Sequence, residues 1–558
     1  MSSPSAPVRS DDPPAPESPE PQQGAQDSGQ TGAAAAPEAA RVGALVSRRV
    51  ALPLAVLTGL LYFVAFPGVD LWPLSFVTLV PLLIALRGRT PKAAAWLAWV
   101  SGFTMTMSGF YWLLPMLQTF SGFGTPLCLL FMAILCAYQS GRLALLGWLY
   151  GRAEQRGWPP GLVFTAAFVA SELVFPLLFP WYFAATVHQV PVLLQTAELG
   201  GPILVALVLI AVNWAVAELV VARLERRRPR LRLIAALSAV PGVALVYGAV
   251  RIAQVDATVA DAPKARVGIV QANMSLFGKR RDKLEGLRRH LRLTRELKRE
   301  GPLDLVVWSE TSVMSAVHED LADQQYRRAF TRALGTPTIF GAVLKRPVED
   351  ARQYALFNTA LISDTDGNIR GRYDKQYLLA FGEYLPLGDA FPILYEWSPN
   401  SGRFSPGKSL EPLPFGDKEV AVFICYEDII PNFVNAIVRN GDPALLVNLT
   451  NDAWFGDTTE PWIHLALSKF RAIEHRRYFV RSTNSGVSAF IDPVGRVVEH
   501  TETFREQAID AKIAYLTPTT PYELWGDAPW WLLTTAAFAM AFVPAERLRR
   551  YSKRRADT

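Results

Sequence analysis

Apolar segments of about 17 to 25 residues recur through the first half of this 558-residue chain, more of them than one soluble core calls for. A helix rises roughly 1.5 Å per residue, so about 20 such residues cross the ~30 Å hydrocarbon layer of a bilayer. Seven segments precede residue 255, with cores at 50–66, 72–86, 93–117, 125–149, 161–184, 202–222 and 233–253. An eighth, PWWLLTTAAFAMAFVP, covers 529–544 and opens on paired tryptophans of the kind found in an interfacial belt. The second and the eighth are short. The pattern predicts a multi-span α-helical membrane protein with about eight transmembrane helices.

Lys and Arg accumulate in loops retained in the cytoplasm, and here they alternate cleanly. Arg41, Arg48 and Arg49 precede the first span; Arg87, Arg89 and Lys92 lie between the second and third; Arg152 and Arg156 lie between the fourth and fifth. RLERRRPRLR follows the sixth, and RLRRYSKRR follows the eighth. The intervening loops near PGVDL, TFSGFG and ATVHQVPVLLQTAELG contain neither Lys nor Arg. Both termini are therefore expected in the cytoplasm, with the block between the seventh and eighth spans on the outer side. This placement accounts for most of the net charge of +6 and weakens a nucleic-acid reading.

The predicted organisation follows. Residues 1–45, rich in Pro, Ala, Ser, Gln and Gly, form a disordered N-terminal tail. They lack the basic start and adjoining apolar run of a cleavable secretion signal, which leaves targeting to the first span. A seven-helix transmembrane domain covers 46–255, an α/β domain covers 256–526, the eighth helix covers 527–546 and a basic cytoplasmic tail covers 547–558.

Within 256–526 the apolar runs shorten to strand length and alternate with charged helical stretches, which points to a layered α/β domain. Strands are predicted at RVGIVQ, LDLVVWSE, TPTIFGAV, LFNTALISD, EVAVFICYE, ALLVNLTND, RSTNSGVSAFID and EQAIDAKI. Polar residues that end apolar strands are candidates for a site. LDLVVWSE ends in Glu310, EVAVFICYE carries Cys425 and Glu427, and YDKQYLLAFGEYLP offers Lys375 and Glu383. The His residues are scattered and no Cys or His pair has metal-ligand spacing, so no metal is expected.

Three cysteines sharpen the reading. Cys128 and Cys136 share the fourth span at about 12 Å by helical rise, too far for a disulfide, and read as small core or lipid-facing residues. Cys425 is then the one thiol in the outer block, where thiols are ordinarily paired. Spacing alone leaves two readings open, a buried structural thiol or a nucleophile. A nucleophile needs a base for its proton and a cation to favour the thiolate, which a glutamate and a lysine at element ends would supply.

These residues resemble the apolipoprotein N-acyltransferases of the bacterial envelope, whose outer domain belongs to the carbon-nitrogen hydrolase (nitrilase) superfamily. The resemblance covers about residues 45–545. It rests on VVWSET, YDKQYLLAFGEYLP, FICYED, NLTNDAWFG and RAIEHRRYFVRSTNSGVSAFIDPVG, in that order within a seven-plus-one membrane frame. It implies an αββα sandwich inserted between membrane helices, on the periplasmic side of the inner membrane. It also implies a Glu-Lys-Cys triad, with Glu310 as base and acid, Lys375 stabilising the oxyanion and Cys425 as nucleophile. The implied reaction moves the sn-1 acyl chain of a phospholipid such as phosphatidylethanolamine onto Cys425 as a thioester. The chain then passes to the α-amino group of an S-diacylglyceryl cysteine at the start of an apolipoprotein. A thioester keeps the activation of the ester, so neither ATP nor a cofactor is required, and ping-pong kinetics follow. The resemblance leans toward a monomer.

Glu383 and Glu427 match acidic positions of the family, expected to hold Lys375 and shape the nucleophile's surroundings. Tyr426 either packs beside the acyl chain or fills the core. Phe391, Leu394, Trp397, Trp454 and Phe455 read either as lid residues dipping toward lipid or as buried loop packing, with Trp454 as a contact to the lipid substrate. Arg142, Glu172, Glu198 and Glu218 hold special roles at bilayer depth or lie near span ends. FPLLFPWYF at 175–183 resembles a family segment facing the outer domain. Two departures stand out: QANMSLFGKRR lacks the spacing of relatives, and Ala380 replaces a proline in the loop carrying Glu383, which is expected to loosen it. Two further functions share parts of the pattern. An envelope-tethered amidase would use the same triad with water as acceptor, and a non-catalytic binding protein would tolerate loss of Cys425.

Overall fold

The computed structural model describes residues 43–275, 278, 282–347, 354–380, 382–385, 387–397 and 401–546. Most of the tail expected at 1–45, all of the basic tail at 547–558 and part of the departure at 271–281 lie outside the described residues, as does the Trp397 side chain.

The apolar segments fold as a helical bundle. Among the described residues, three helices are long and apolar enough to cross a membrane: Thr125–Glu154, Ala197–Leu224 and Leu231–Asp261. The others are shorter. Arg48–Val64 and Pro91–Gly109 are continuous, whereas the second segment is a 3-10 turn, Trp72–Phe76, followed by the helix Val80–Leu86. Proline breaks two runs that hydropathy reads as unbroken. The predicted 93–117 helix stops at Gly109 and restarts as Leu113–Ser121, where Pro115 can give no backbone N–H to the preceding turn. The predicted 161–184 helix stops at Val174, and Pro176 and Pro180 keep the next stretch extended up to the 3-10 turn Phe183–Val187. The Ala197–Leu224 helix kinks at Gly200 and Gly201, where Gly201 takes φ +64 ahead of Pro202. Two indoles cap the carbonyls freed there: Trp525 donates to Leu199 O at 2.7 Å and Trp530 to Gly200 O at 2.9 Å.

The ends of the bundle differ in charge. At one end Arg87 pairs with Glu154 and Glu225, Arg89 donates to Val46 O, and Ala545 N bonds Arg156 O, so the Lys/Arg-bearing loops gather together. The α/β domain sits on the other end, where the loops free of Lys and Arg meet it. Tyr182 OH donates to Ile429 O, Lys469 Nζ to His188 O at 2.6 Å, and Arg476 Nε to Glu198 at 2.6 Å. Arg142 and Glu172 form a buried pair at 3.1 Å inside the bundle, and Arg142 also holds Trp181 O at 2.6 Å. Glu218 pairs with Arg227 at the basic end.

The α/β domain has two stacked sheets. The first contains β1 (Lys264–Gln271), β2 (Leu305–Trp308), β3 (Val313–His318), β4 (Thr338–Pro347), β5 (Tyr354–Ser363), β6 (Ile369–Asp374) and β13 (Gln507–Ala514), ordered β13-β1-β2-β4-β5-β6 with β3 on β4. The second is β12-β11-β10-β9-β8-β7, built from β7 (Leu413–Phe415), β8 (Lys418–Ile424), β9 (Leu445–Thr450), β10 (Phe479–Thr483), β11 (Ala489–Ile491) and β12 (Val497–His500). The central strands β1-β2-β4 and β8-β9-β10 run parallel. Val267, Ile269 and Val307 of one sheet pack on Val422, Leu446 and Phe479 of the other in a single core. The helix Lys283–Arg299 covers one outer face, and Pro431–Arg439 with Glu460–His475 covers the other, giving αββα layers. Ile463, Leu467, Phe470 and Ile473 of the last helix also join the core of the bundle, so one helix serves both parts.

Candidate active site

Parallel strands that share a direction bring their C-terminal ends to one edge, and the polar residues that close them meet there. Glu310 follows β2, Lys375 follows β6, Cys425 follows β8, and Asn451 and Trp454 follow β9. A cavity of about 130 Å³ is lined by Glu310, Asn358, Lys375, Glu383, Cys425 and Trp454, among others.

Lys375 is 1% exposed and its ammonium lies between two carboxylates, 2.7 Å from Glu383 and 3.4 Å from Glu310. Burial by itself would discharge this lysine. The charges of Cys425, when it is ionised, and of Glu310 and Glu383 outweigh burial and raise its pKa well above the ordinary value. The same cavity pushes the Cys425 thiol up through burial, which Lys375 opposes while Glu310, Glu383 and Asp452 reinforce it. Burial thus favours the neutral thiol at Cys425, and the lysine beside it is the charge that favours its thiolate.

Cys425 is held at φ +57, a conformation that L-residues seldom adopt and that marks sites where the fold imposes a direction on a side chain. Two contacts hold it: Asn448 Nδ2 donates to Cys425 O at 2.8 Å, and Ile424 N donates to Glu427 at 2.7 Å. Glu427 is fully buried rather than a solvated surface charge. It also accepts from Gln376 N, Tyr377 N and the Tyr373 hydroxyl, tying the turn after Lys375 to the turn of Cys425. Burial raises its pKa to about 7 against these donors and Lys375. Glu427 thus organises backbone, while Glu383 is the acid that grips Lys375.

The loop that carries Glu383 is closed on itself. Leu379 N donates to Glu383 Oε2 and Glu383 N to Leu379 O, both at 2.8 Å, and Ala380 forms a bridge with Tyr384.

Asn358 on β5 escapes the sequence reading. Its amide donates to Glu310 Oε1 at 2.6 Å and to Glu383 Oε1 at 2.7 Å, locking both acids around the lysine. Gly341 permits the backbone to close here, because a Cβ would meet Thr311 N at 2.4 Å, and Thr311 itself sits at φ +47 beside Glu310.

A second cavity, about 40 Å³, also reaches Cys425. Its walls are mostly apolar and join the two parts of the chain: Phe110, Trp112 and Phe179 from the bundle, Tyr426, Ile429 and Phe455 from the α/β domain. Tyr426 lines this cavity, and its hydroxyl bonds Leu378 O. Phe455 is buried against Trp112 with ring centroids 5.2 Å apart, which is loop packing rather than a lid. Phe391 is 57% exposed, and Leu394 is part-buried outside both cavities. Beneath Cys425 a buried set of charges, Asp428, Asp452, His464 and Arg481, also went unread in the sequence.

Two family profiles match the chain: carbon-nitrogen hydrolase over residues 266–519 and apolipoprotein N-acyltransferase N-terminal domain over 58–215. Among curated relatives, an apolipoprotein N-acyltransferase of Azotobacter vinelandii is 32% identical over 90% of this chain and 96% of its own. The chain belongs to the apolipoprotein N-acyltransferase family. Members from Geobacter metallireducens (27% identical, 88% of this chain and 95% of that one) and Pseudomonas putida (28%, 85% and 93%) agree. The αββα domain is accordingly a carbon-nitrogen hydrolase domain, and the family's N-terminal domain coincides with most of the helical bundle.

Proposed function

We propose that this family member transfers the sn-1 acyl chain of a membrane phospholipid, through a thioester on Cys425, to the α-amino group of the S-diacylglyceryl cysteine of an apolipoprotein. One observation carries the reading: a lysine ammonium clamped between two buried carboxylates shares a cavity with a buried thiol, at the end of a helical bundle whose loops lack Lys and Arg. Glu310 takes the proton of Cys425 as sulfur attacks the ester carbonyl, and Lys375 balances the oxyanion. The intermediate collapses, the C–O bond breaks and Glu310 returns the proton to the lysophospholipid hydroxyl. The acceptor amine then attacks the thioester, the C–S bond breaks, and a proton from nitrogen passes through Glu310 to sulfur. Tyr426 borders the acyl chain and Trp454 the lipid donor.

Eight membrane crossings with cytoplasmic termini put the hydrolase domain in the periplasm of a bacterial inner membrane. The gathering of the basic loops at the end of the bundle away from that domain supports this placement. Phosphatidylethanolamine is the expected donor, and the expected working form is a monomer.

The test incubates purified protein with phosphatidylethanolamine carrying a labelled acyl chain, traps the adduct and adds a diacylated lipopeptide. Label on Cys425 that moves to the peptide is the expected result, and Cys425→Ala abolishes the adduct. Label released only as free fatty acid would mean hydrolysis, and no adduct at all would mean a binding protein.

A further inference from the structure

The narrow cavity beside Cys425 contains one acidic side chain whose role the triad leaves open. Glu460 opens the helix Glu460–His475, is 8% exposed and lines this cavity together with Cys425. Its Oε2 atom is buried and makes no hydrogen bond within the described residues. A buried carboxylate is tolerated when a cation or donors meet it.

The neighbouring charges are already matched. His464 holds Asp428 at 2.8 Å and Asp452 at 3.5 Å, and Arg481 holds Asp428 at 3.2 Å and Asp452 at 3.1 Å. Ser468 adds a hydrogen bond to Asp428 at 2.6 Å. Burial and Arg481 oppose charge on His464, yet the two aspartates carry its pKa up to about 9. Two carboxylates thus face two cations, and Glu460 is a third carboxyl with no cation of its own. Lys375, the remaining cation beside Cys425, is engaged by Glu383 and Glu310. Burial and Asp452 accordingly hold the pKa of Glu460 up to about 8. The remaining polar lining is the Tyr426 hydroxyl, which already donates to Leu378 O, and the Trp112 indole, whose Nε1 makes no hydrogen bond within the described residues.

The cavity, about 40 Å³, has room for a small cationic group, and the proposed reaction supplies one kind, a primary ammonium. We propose that Glu460 is a binding site for a primary ammonium ion held beside Cys425. The inference rests on the reaction proposed above, in which two molecules carry such a group: the ethanolamine headgroup of the donor and the N-terminal cysteine of the acceptor.

Full-length protein in lipid nanodiscs separates these sources. Single-turnover acylation of Cys425 is timed with phosphatidylethanolamine and with phosphatidylglycerol, which lacks the amine, and transfer to a diacylated lipopeptide is timed separately. In Glu460→Gln, a headgroup site lowers the ethanolamine-to-glycerol ratio of acylation rates at least tenfold. An acceptor site instead raises the lipopeptide concentration for half-maximal transfer at least tenfold and leaves that ratio alone. Glu460→Asp restores part of either effect. Both quantities within twofold of wild type overturn the proposal, and so does a uniform fall of all rates with a lowered unfolding temperature. A wild-type protein that forms no acyl-enzyme, or delivers label only to water, overturns the reaction itself and the site with it.

Discussion

Asn358 offers the sharpest test of how the two acids are held. Its amide makes two short hydrogen bonds to carboxylates, at 2.6 and 2.7 Å. Bonds to ionised acceptors contribute about 1.5–3 kcal/mol each. Asn358→Leu keeps the volume and removes both donors. Water in the adjoining cavity replaces part of what is lost, and Lys375 still attracts Glu310 from 3.4 Å. A net loss of about 2 kcal/mol from the aligned state is then expected, or roughly 30-fold in the acylation rate of Cys425. Single-turnover acylation with a labelled phospholipid reads this directly, with the unfolding temperature as a control for the fold. A variant that unfolds at the wild-type temperature and acylates within twofold of wild type would falsify the role given to Asn358.

Three further outcomes follow from the same geometry. Lys375→Met removes the charge that opposes the rise of the Cys425 pKa, so alkylation of Cys425 by a small haloacetamide at pH 8 slows by about tenfold or more; equal rates would remove the lysine from thiolate stabilisation. Glu427 is lifted from 4.5 to about 7, so its contribution to stability is complete below pH 4.5 and disappears as pH rises through 7. The stability difference between wild type and Glu427→Gln therefore shrinks by about 3 kcal/mol across that window in denaturant titrations, and a flat difference would count against the shift. Trp454→Ala slows acyl-enzyme formation from phospholipid; unchanged formation and turnover would withdraw Trp454 from the lipid contact.

Glu310, Lys375 and Cys425 were legible because each is a polar residue closing an apolar or alternating run, and strand ends are where such residues converge. Glu427 was legible in position but not in action, since nothing local signals that its carboxylate collects donors from the turn after Lys375. Asn358 was hidden for a different reason: an uncharged amide inside a strand carries no distinctive signal, and its partners lie 48 and 25 residues away. Glu460 was hidden by its neighbours, because an acid followed by proline at the start of a helix reads as an ordinary N-terminus. The interrupted helices at Phe110–Trp112 and after Val174 were missed because a hydropathy window sums transfer energies and ignores the backbone donors that proline lacks.

The hydrolase domain leaves the bundle at Asp261 and rejoins it at Ala528, and just before the return Trp525 fastens to the kink at Leu199. A module joined to the bundle at both roots and fastened at one of them has little freedom to swing. The catalytic sulfur then stays at one fixed height over the helix ends. On the reaction proposed above, amphiphiles then reach that sulfur from the side, and lateral traffic in two dimensions takes the place of a rocking head.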